Sequence, residues 1–143
     1  NQTLLLAEVI RQSDFMISQQ AIDDYNLQNV QAWRGIRDFI RMHYDTGRTD
    51  TTFWKEALKL PVSDKYSELK KVWKYRTPRA IDFIDYKMGD SSHFGVYSWF
   101  AIGQAVGVIR PEATVTELLS LQPTQRQNLA KSLAEIKQRL DLA

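Results

Sequence analysis

An all-α domain is the fold class this sequence predicts, and three observations predict it. Apolar residues recur every three or four positions, as in Val30, Trp33, Ile36, Ile40 and Tyr44, which is the spacing of one helix face. Strict apolar–polar alternation, the mark of a half-buried strand, is nearly absent. Helix start and stop residues (Ser18, Gly47, Thr51 or Thr52, Pro61) stand at the ends of the periodic runs.

The elements follow in order. Residues 4 to about 11 read as a short helix stopped by Ser13-Asp14. Ser18 caps a long helix to about residue 44, with Val30 to Tyr44 as its apolar face and Gly47 as its stop. Arg48 and Asp50 hold the next turn, and Thr51 or Thr52 caps a helix over residues 52 to 59 that buries Phe53-Trp54 and ends at Pro61. Residues 63 to 75 form another helix, with Tyr66, Leu69, Val72 and Trp73 inward. Residues 76 to 92 read as irregular, from Pro78 near the start to Gly89-Asp90-Ser91-Ser92 at the end. The segment "VYSWFAIGQAVGV" is apolar nearly all round and reads as a buried helix over 96 to 108, where Gly103 and Gly107 admit a neighbouring backbone. A last helix from about 125 to 140 carries Leu129, Leu133, Ile136 and Leu140 on one side and Lys, Arg and Glu on the other. That makes about six helices in one compact domain over residues 1–143, without repeat or linker.

Composition bounds the function. A chain of 143 residues can bury a core without staples. With 43% hydrophobic and 25% charged residues it belongs with folded soluble domains, not disordered ones. It has no cysteine, which excludes disulfides, thiolate nucleophiles and Cys-ligated zinc, and suits a reducing cytoplasm. A net charge of +2 argues for neither nucleic acid nor a membrane surface. No apolar run nears the ~20 residues of a spanning helix. The opening Asn1-Gln2-Thr3, running at once into Leu4-Leu5-Leu6, reads as a cut through a longer protein.

Catalytic signatures are sparse. His43 and His93 lie far apart, and neither has a His or carboxylate at metal-ligand spacing, so no metal site is expected. Ser91 or Ser92, His93 and Asp90 are neighbours in sequence, which rarely gives triad geometry. No G-x-G-x-x-G or P-loop occurs. Lys65, Lys70, Lys71, Lys74, Arg76 and Arg79, interleaved with Tyr66, Trp73 and Tyr75, resemble a nucleic-acid surface. On a helix the aromatics turn inward and the lysines outward, so a solvated face and no nucleic-acid partner are expected. Four Trp, six Tyr and six Phe are many for this length. Those near residues 83 to 97 are candidates to wall an aromatic-binding pocket, with Asp82, Asp85, Lys87 or Asp90 at its polar ends.

One stretch is more specific. "WRGIRDFIRMHYDTGRTDTTFWKEA" (residues 33–57) resembles the flavin-dependent tryptophan halogenase family through Ile36-Arg37-Asp38-Phe39, His43-Tyr44, Arg48, Asp50-Thr51 and Phe53-Trp54. "SWFAIGQAVGVIRP" (residues 98–111) is similar to that family's late apolar helix, and "LLLAEVIRQSDF" to the helix after its flavin-binding segment. The resemblance implies the C-terminal helical, substrate-binding part of a larger FAD-dependent α/β protein. In such a protein reduced FAD, bound by an N-terminal domain and supplied by a flavin reductase, drives halogenation of tryptophan, an indole or another electron-rich aromatic. The Gly-rich flavin loop, the Trp-x-Trp-x-Ile-Pro motif and the catalytic lysine of that family would lie upstream. The chain alone is therefore expected to bind no cofactor, to carry no catalytic residue and to be inactive. Counting back from Gly107 places His93-Phe94 at the family's aromatic pair, with His in the first position. The implied substrate contacts are Phe94, Tyr86 and Phe83 as aromatic walls, and His93, Lys87 and Asp90 at polar groups. A small aromatic substrate and the flavin domain are the implied partners, a homodimer is allowed, and no membrane is involved. The competing reading is a stand-alone helical protein-interaction module. A severed apolar surface near residues 1 to 10 and after Tyr44 would favour the halogenase reading.

Overall fold

A computed structural model describes residues 2–14, 16–86 and 94–141 of the chain. Among them all regular structure is helical, in seven α-helices and one 3-10 helix. Helix α1 (Gln2–Gln12) stops where Asp14 turns with φ of 46°. Ser18 then caps α2 (Gln19–His43), its hydroxyl accepting from the Ala21 amide at 3.2 Å. That bond satisfies a donor the first helical turn would leave bare. After the corner at 44–51 come α3 (Thr52–Ala57) and α4 (Asp64–Val72). The 3-10 helix (Ala80–Tyr86), α5 (Val96–Ala105), α6 (Pro111–Ser120) and α7 (Pro123–Asp141) complete the order. Helix α2 is the spine, with α1, the 3-10 helix and α5 packed against it.

The core is aromatic. Phe39 and Met42 from α2, Tyr66 and Leu69 from α4, Phe83 and Tyr86 from the 3-10 helix, Trp99 from α5, and Trp73 and Ile109 from the connections are buried together. Two glycines permit the close packing. A Cβ on Gly35 would lie 3.0 Å from the Tyr86 Cβ, and one on Gly103 only 2.7 Å from Ile109 Cδ1. Small residues at these crossings let α2 approach the 3-10 helix and let the chain after α5 fold back over it.

The all-α expectation and the caps at Ser18 and Thr51 hold; the Thr51 hydroxyl accepts from the Trp54 amide at 3.4 Å. Several faces are reversed. The apolar stripe of α2 lies largely outward: Val30, Trp33 and Ile40 are exposed and Ile36 and Tyr44 half-buried, while Gly35, Asp38, Phe39, Arg41 and Met42 are buried. The two stripes interleave on one cylinder, and apolar spacing alone does not say which meets the core. Phe53 is exposed, not buried by α3, and Trp54 is half-buried beneath the Arg48 guanidinium. Helix α4 ends at Val72, which is exposed, and Tyr75 turns to solvent instead of inward. The irregular stretch contains the 3-10 helix, whose segment 87–93 continuation lies outside the described residues. Helix α5 ends at Ala105 and is not buried all round: Trp99 and Gly103 are, but Tyr97 is largely exposed. Gly107 is needed for its φ of +80°, a left-handed conformation after the helix end, with open space where a Cβ would be. Helix α6 was not foreseen, although Pro111 at its first turn is a standard start signal. Helix α7 buries no residue, and its Leu129, Leu133, Ile136 and Leu140 remain exposed.

Candidate functional site

Three aspartates organise the interior. Asp38 on α2 is 1% exposed. Its Oδ2 accepts from the Tyr86 hydroxyl at 2.6 Å and the Ser63 hydroxyl at 2.6 Å, and its Oδ1 accepts from Arg37 Nε at 3.1 Å. Ser63 is also the N-cap of α4, accepting from the Tyr66 amide at 3.0 Å. One carboxylate thus ties α2, the start of α4 and the end of the 3-10 helix together. Asp45, just past α2, accepts from Arg41 at 2.7 Å, the Tyr66 hydroxyl at 2.9 Å and Lys70 at 3.1 Å. Asp82 accepts from Trp73 Nε1 at 3.0 Å, the Arg79 amide at 2.9 Å and the Arg76 guanidinium. Buried carboxylates are tolerated when each oxygen is paired in this way.

The electrostatics follow from those partners. Burial alone would raise the Asp82 carboxyl, but Arg76, Trp73 and the Arg79 amide outweigh it and hold its pKa below the ordinary value. Asp45 is lowered in the same sense, burial being overcome by Lys70, Tyr66 and Arg41. Burial first, and then the neighbouring carboxylate, push the Tyr86 and Tyr66 phenols well above the usual tyrosine range. Both hydroxyls therefore stay protonated and donate.

An aromatic cluster rests on this frame. Phe94 stacks on Phe39 with ring centroids 3.9 Å apart and planes 20° from parallel. Phe39 meets the edges of Trp99 at 5.0 Å and His43 at 4.8 Å, and Tyr86 lies parallel to Trp99 at 5.9 Å. Phe83 sits among Trp73, Tyr86 and Trp99.

The expected contact residues fall into two groups. Phe83, Tyr86 and Phe94 are brought together through Phe39 and Trp99. Phe83 is fully buried, and Tyr86 has its hydroxyl committed to Asp38, so neither offers a free face or a free donor. Phe94 is half-buried, at the edge of the cluster. Lys87, Asp90 and His93 lie outside the described residues. Asp82 and Asp85, considered for a ligand's polar ends, pair with Arg76 and with Lys65 at 2.7 Å. Sequence reasoning missed Asp38, Asp45 and Ser63 as anchors. The available signal was an acid at the helical spacing of Gly35, Phe39 and Met42, which puts it on their face.

The corner at 44–51 is structural in every bond it makes. Arg48 pairs with Asp50 through two bonds of 3.0 and 2.7 Å, and the same guanidinium lies 4.7 Å from the centre of the Trp54 ring. Exposed apolar side chains occur on α1, along α2 and on α3, at Leu4, Leu6, Ile22, Trp33, Ile40 and Phe53.

The tryptophan halogenase family model matches residues 6–122, and the chain belongs to that family. An uncharacterized protein of Sinorhizobium fredii is 31% identical over 92% of this chain and 26% of its own length. A 7-chloro-L-tryptophan 6-halogenase of a Kutzneria species is 27% identical over 76% of this chain and 20% of its own length. The chain thus spans a fifth to a quarter of the curated relatives it matches. No helix among the described residues is long and apolar enough to cross a membrane.

Proposed function

We propose that residues 1–143 are the helical substrate-binding part of a flavin-dependent halogenase acting on tryptophan, an indole or another electron-rich aromatic. The observation that carries this reading is the family match over residues 6–122, which includes the whole aromatic cluster and the loop beside it. Phe94 walls the substrate, with Phe39, Tyr86 and Phe83 holding it from behind, and His93, Lys87 and Asp90 meet the substrate's polar groups. An aromatic wall suits electrophilic attack on a ring, because it fixes the ring plane by stacking without competing for the reagent.

In this reading the flavin is held elsewhere in the complete protein. The described residues contain no strand leading into a Gly-rich turn and helix, the arrangement that cradles a dinucleotide diphosphate. Reduced flavin and its reductase would then act with another domain of the complete protein. The outward stripe of α2 supports the same division. Leu27, Val30, Trp33 and Ile40 make an apolar strip that a flavin domain would cover.

The test is turnover by the complete protein with reduced flavin, halide, oxygen and a panel of aromatic substrates, with mass spectrometry for a halogen–carbon product. Phe94→Ala is expected to raise KM at least about tenfold, the scale set by losing an aromatic stack and its buried area. No halogenated product from any electron-rich aromatic would leave the interaction-module reading in place instead.

A further inference from the structure

A second recess lies away from the aromatic cluster. It has a volume of about 480 Å³ and opens between α4, the corner at Asp45 and Gly47, and the turn from Gly107 to Arg110. Four cations line it: Lys70, Lys71, Lys74 and Arg110. Asp45 is its one acidic lining residue, and that carboxylate is already shared by Arg41, Lys70 and Tyr66.

Arg48, Lys59, Lys65, Arg76 and Arg79 each sit within ion-pair distance of an acid. Among the described residues Lys71, Lys74 and Arg110 pair with none. Other cations, such as Arg34 and Lys55, also lack an ion-pair partner among the described residues, so what marks the recess is that several cations converge on one concavity. Lys70 and Lys74 are one helical turn apart, where like charges repel. Arg110 is brought to them from a different element by the left-handed turn at Gly107. A small protein of net charge +2 thus gathers unneutralised positive charge in one concave place.

We propose that this recess binds a small multivalent phosphate group, a phosphate ester or a pyrophosphate. Lysines act as mobile point charges on such a group and the arginine as a two-pronged donor. The volume lies in the range of small-ligand sites, roughly 300–1,000 Å³. Apolar Leu58 and Val108 flank the cations. The basic surface is therefore confined, whereas a nucleic-acid strand needs a continuous track of charge and stacking faces.

Calorimetric titration of the complete protein with inorganic pyrophosphate at low salt tests this, since it reads binding and needs no turnover. One-to-one binding is expected, weakened at least about tenfold in Lys74→Gln/Arg110→Gln, as removing two close charges should do. Lys71→Gln should weaken it less, and Lys131→Gln on α7 should leave it unchanged. A phosphomonoester such as adenosine monophosphate, run beside pyrophosphate, separates an ester site from a free-phosphate site. The proposal fails if pyrophosphate does not bind, or if the double variant binds it as well as the parent. It also fails if polyglutamate binds where pyrophosphate does not, which would mark the recess as a surface for acidic protein.

Discussion

The two faces of α2 handle polarity in opposite ways. Its inner face buries Gly35, Asp38, Phe39, Arg41 and Met42, so a carboxylate and a guanidinium sit among aromatic rings. Its outer face leaves Leu27, Val30, Trp33 and Ile40 between 46% and 58% exposed. The inner polar groups are tolerable because their partners are in place: Asp38 holds Tyr86 and Ser63, and Arg41 reaches Asp45 and the Leu60 carbonyl. The outer apolar groups gain nothing from the lobe itself. The fold therefore leans on its buried polar anchors, while the exposed strip of α2 is the area that, in the proposed function, another domain covers.

Replacing Asp38 should break the inner face hardest. Asp38→Ala leaves the Tyr86 and Ser63 hydroxyls buried without their acceptor, and a loss of about 3–5 kcal/mol in denaturant unfolding is expected, as for breaking a buried charged network. Trp33→Ser on the outer face should change the stability of the isolated chain by no more than about 0.5 kcal/mol. If the two variants proved equally damaging, the distinction between the faces would be gone.

Packing beside the inner face offers a smaller test. Gly103→Ala introduces a Cβ 2.7 Å from Ile109 Cδ1. The overpacking should cost about 1–3 kcal/mol, less whatever alanine returns in helix propensity. Ile109→Val removes that δ-carbon, so the double variant should be more stable than the sum of the two single changes predicts. Simple additivity in a double-mutant cycle would show that the contact carries no strain.

Acid separates the faces by charge. Asp45 and Asp82 have folded-state pKa values lowered by their partners. Their stabilisation is complete above the unfolded carboxyl pKa of about 3.9 and is lost as pH falls through the lower folded value. Unfolding midpoints should therefore drop below about pH 4, and Asp82→Asn should flatten that dependence. Tyr66 and Tyr86 act with the opposite sign. Their raised pKa values give stability that is present below the unfolded value of about 10 and is lost as pH rises past it. A stability curve indifferent to both limits would mean that these anchors contribute little.

Local rules made the helices legible and left their orientation open. Ser18, Thr51 and Pro111 mark helix starts through short-range bonds or a fixed φ, and such signals are written in neighbouring residues. The choice of core face depends on partners far along the chain: Tyr86 and Ser63 decide that Asp38 points inward. The apolar stripe of α2 is real, but spacing reports a face without reporting what covers it. At the candidate site, the position of Phe94 just before α5 is legible in sequence, whereas the commitment of Tyr86 to Asp38 is a contact between residues 48 positions apart. Arg110 was invisible as a partner of Lys70 and Lys74 for the same reason.

The smallest effect is expected at the corner that carries the densest family-like motif. Arg48 and Asp50 pair in solvent, with side chains 53% and 54% exposed, and an exposed pair contributes little because water screens it. Helix α3 keeps its Thr51 cap without them. Arg48→Ala should therefore uncover Trp54 and shift its fluorescence, since the guanidinium lies over that ring. Unfolding of the lobe and turnover by the complete protein should be unchanged within error. Lost turnover with intact folding would make Arg48 a contact to substrate or to the flavin domain, and would extend the functional surface from the α2 stripe to this corner. Unchanged turnover would keep the corner as a support.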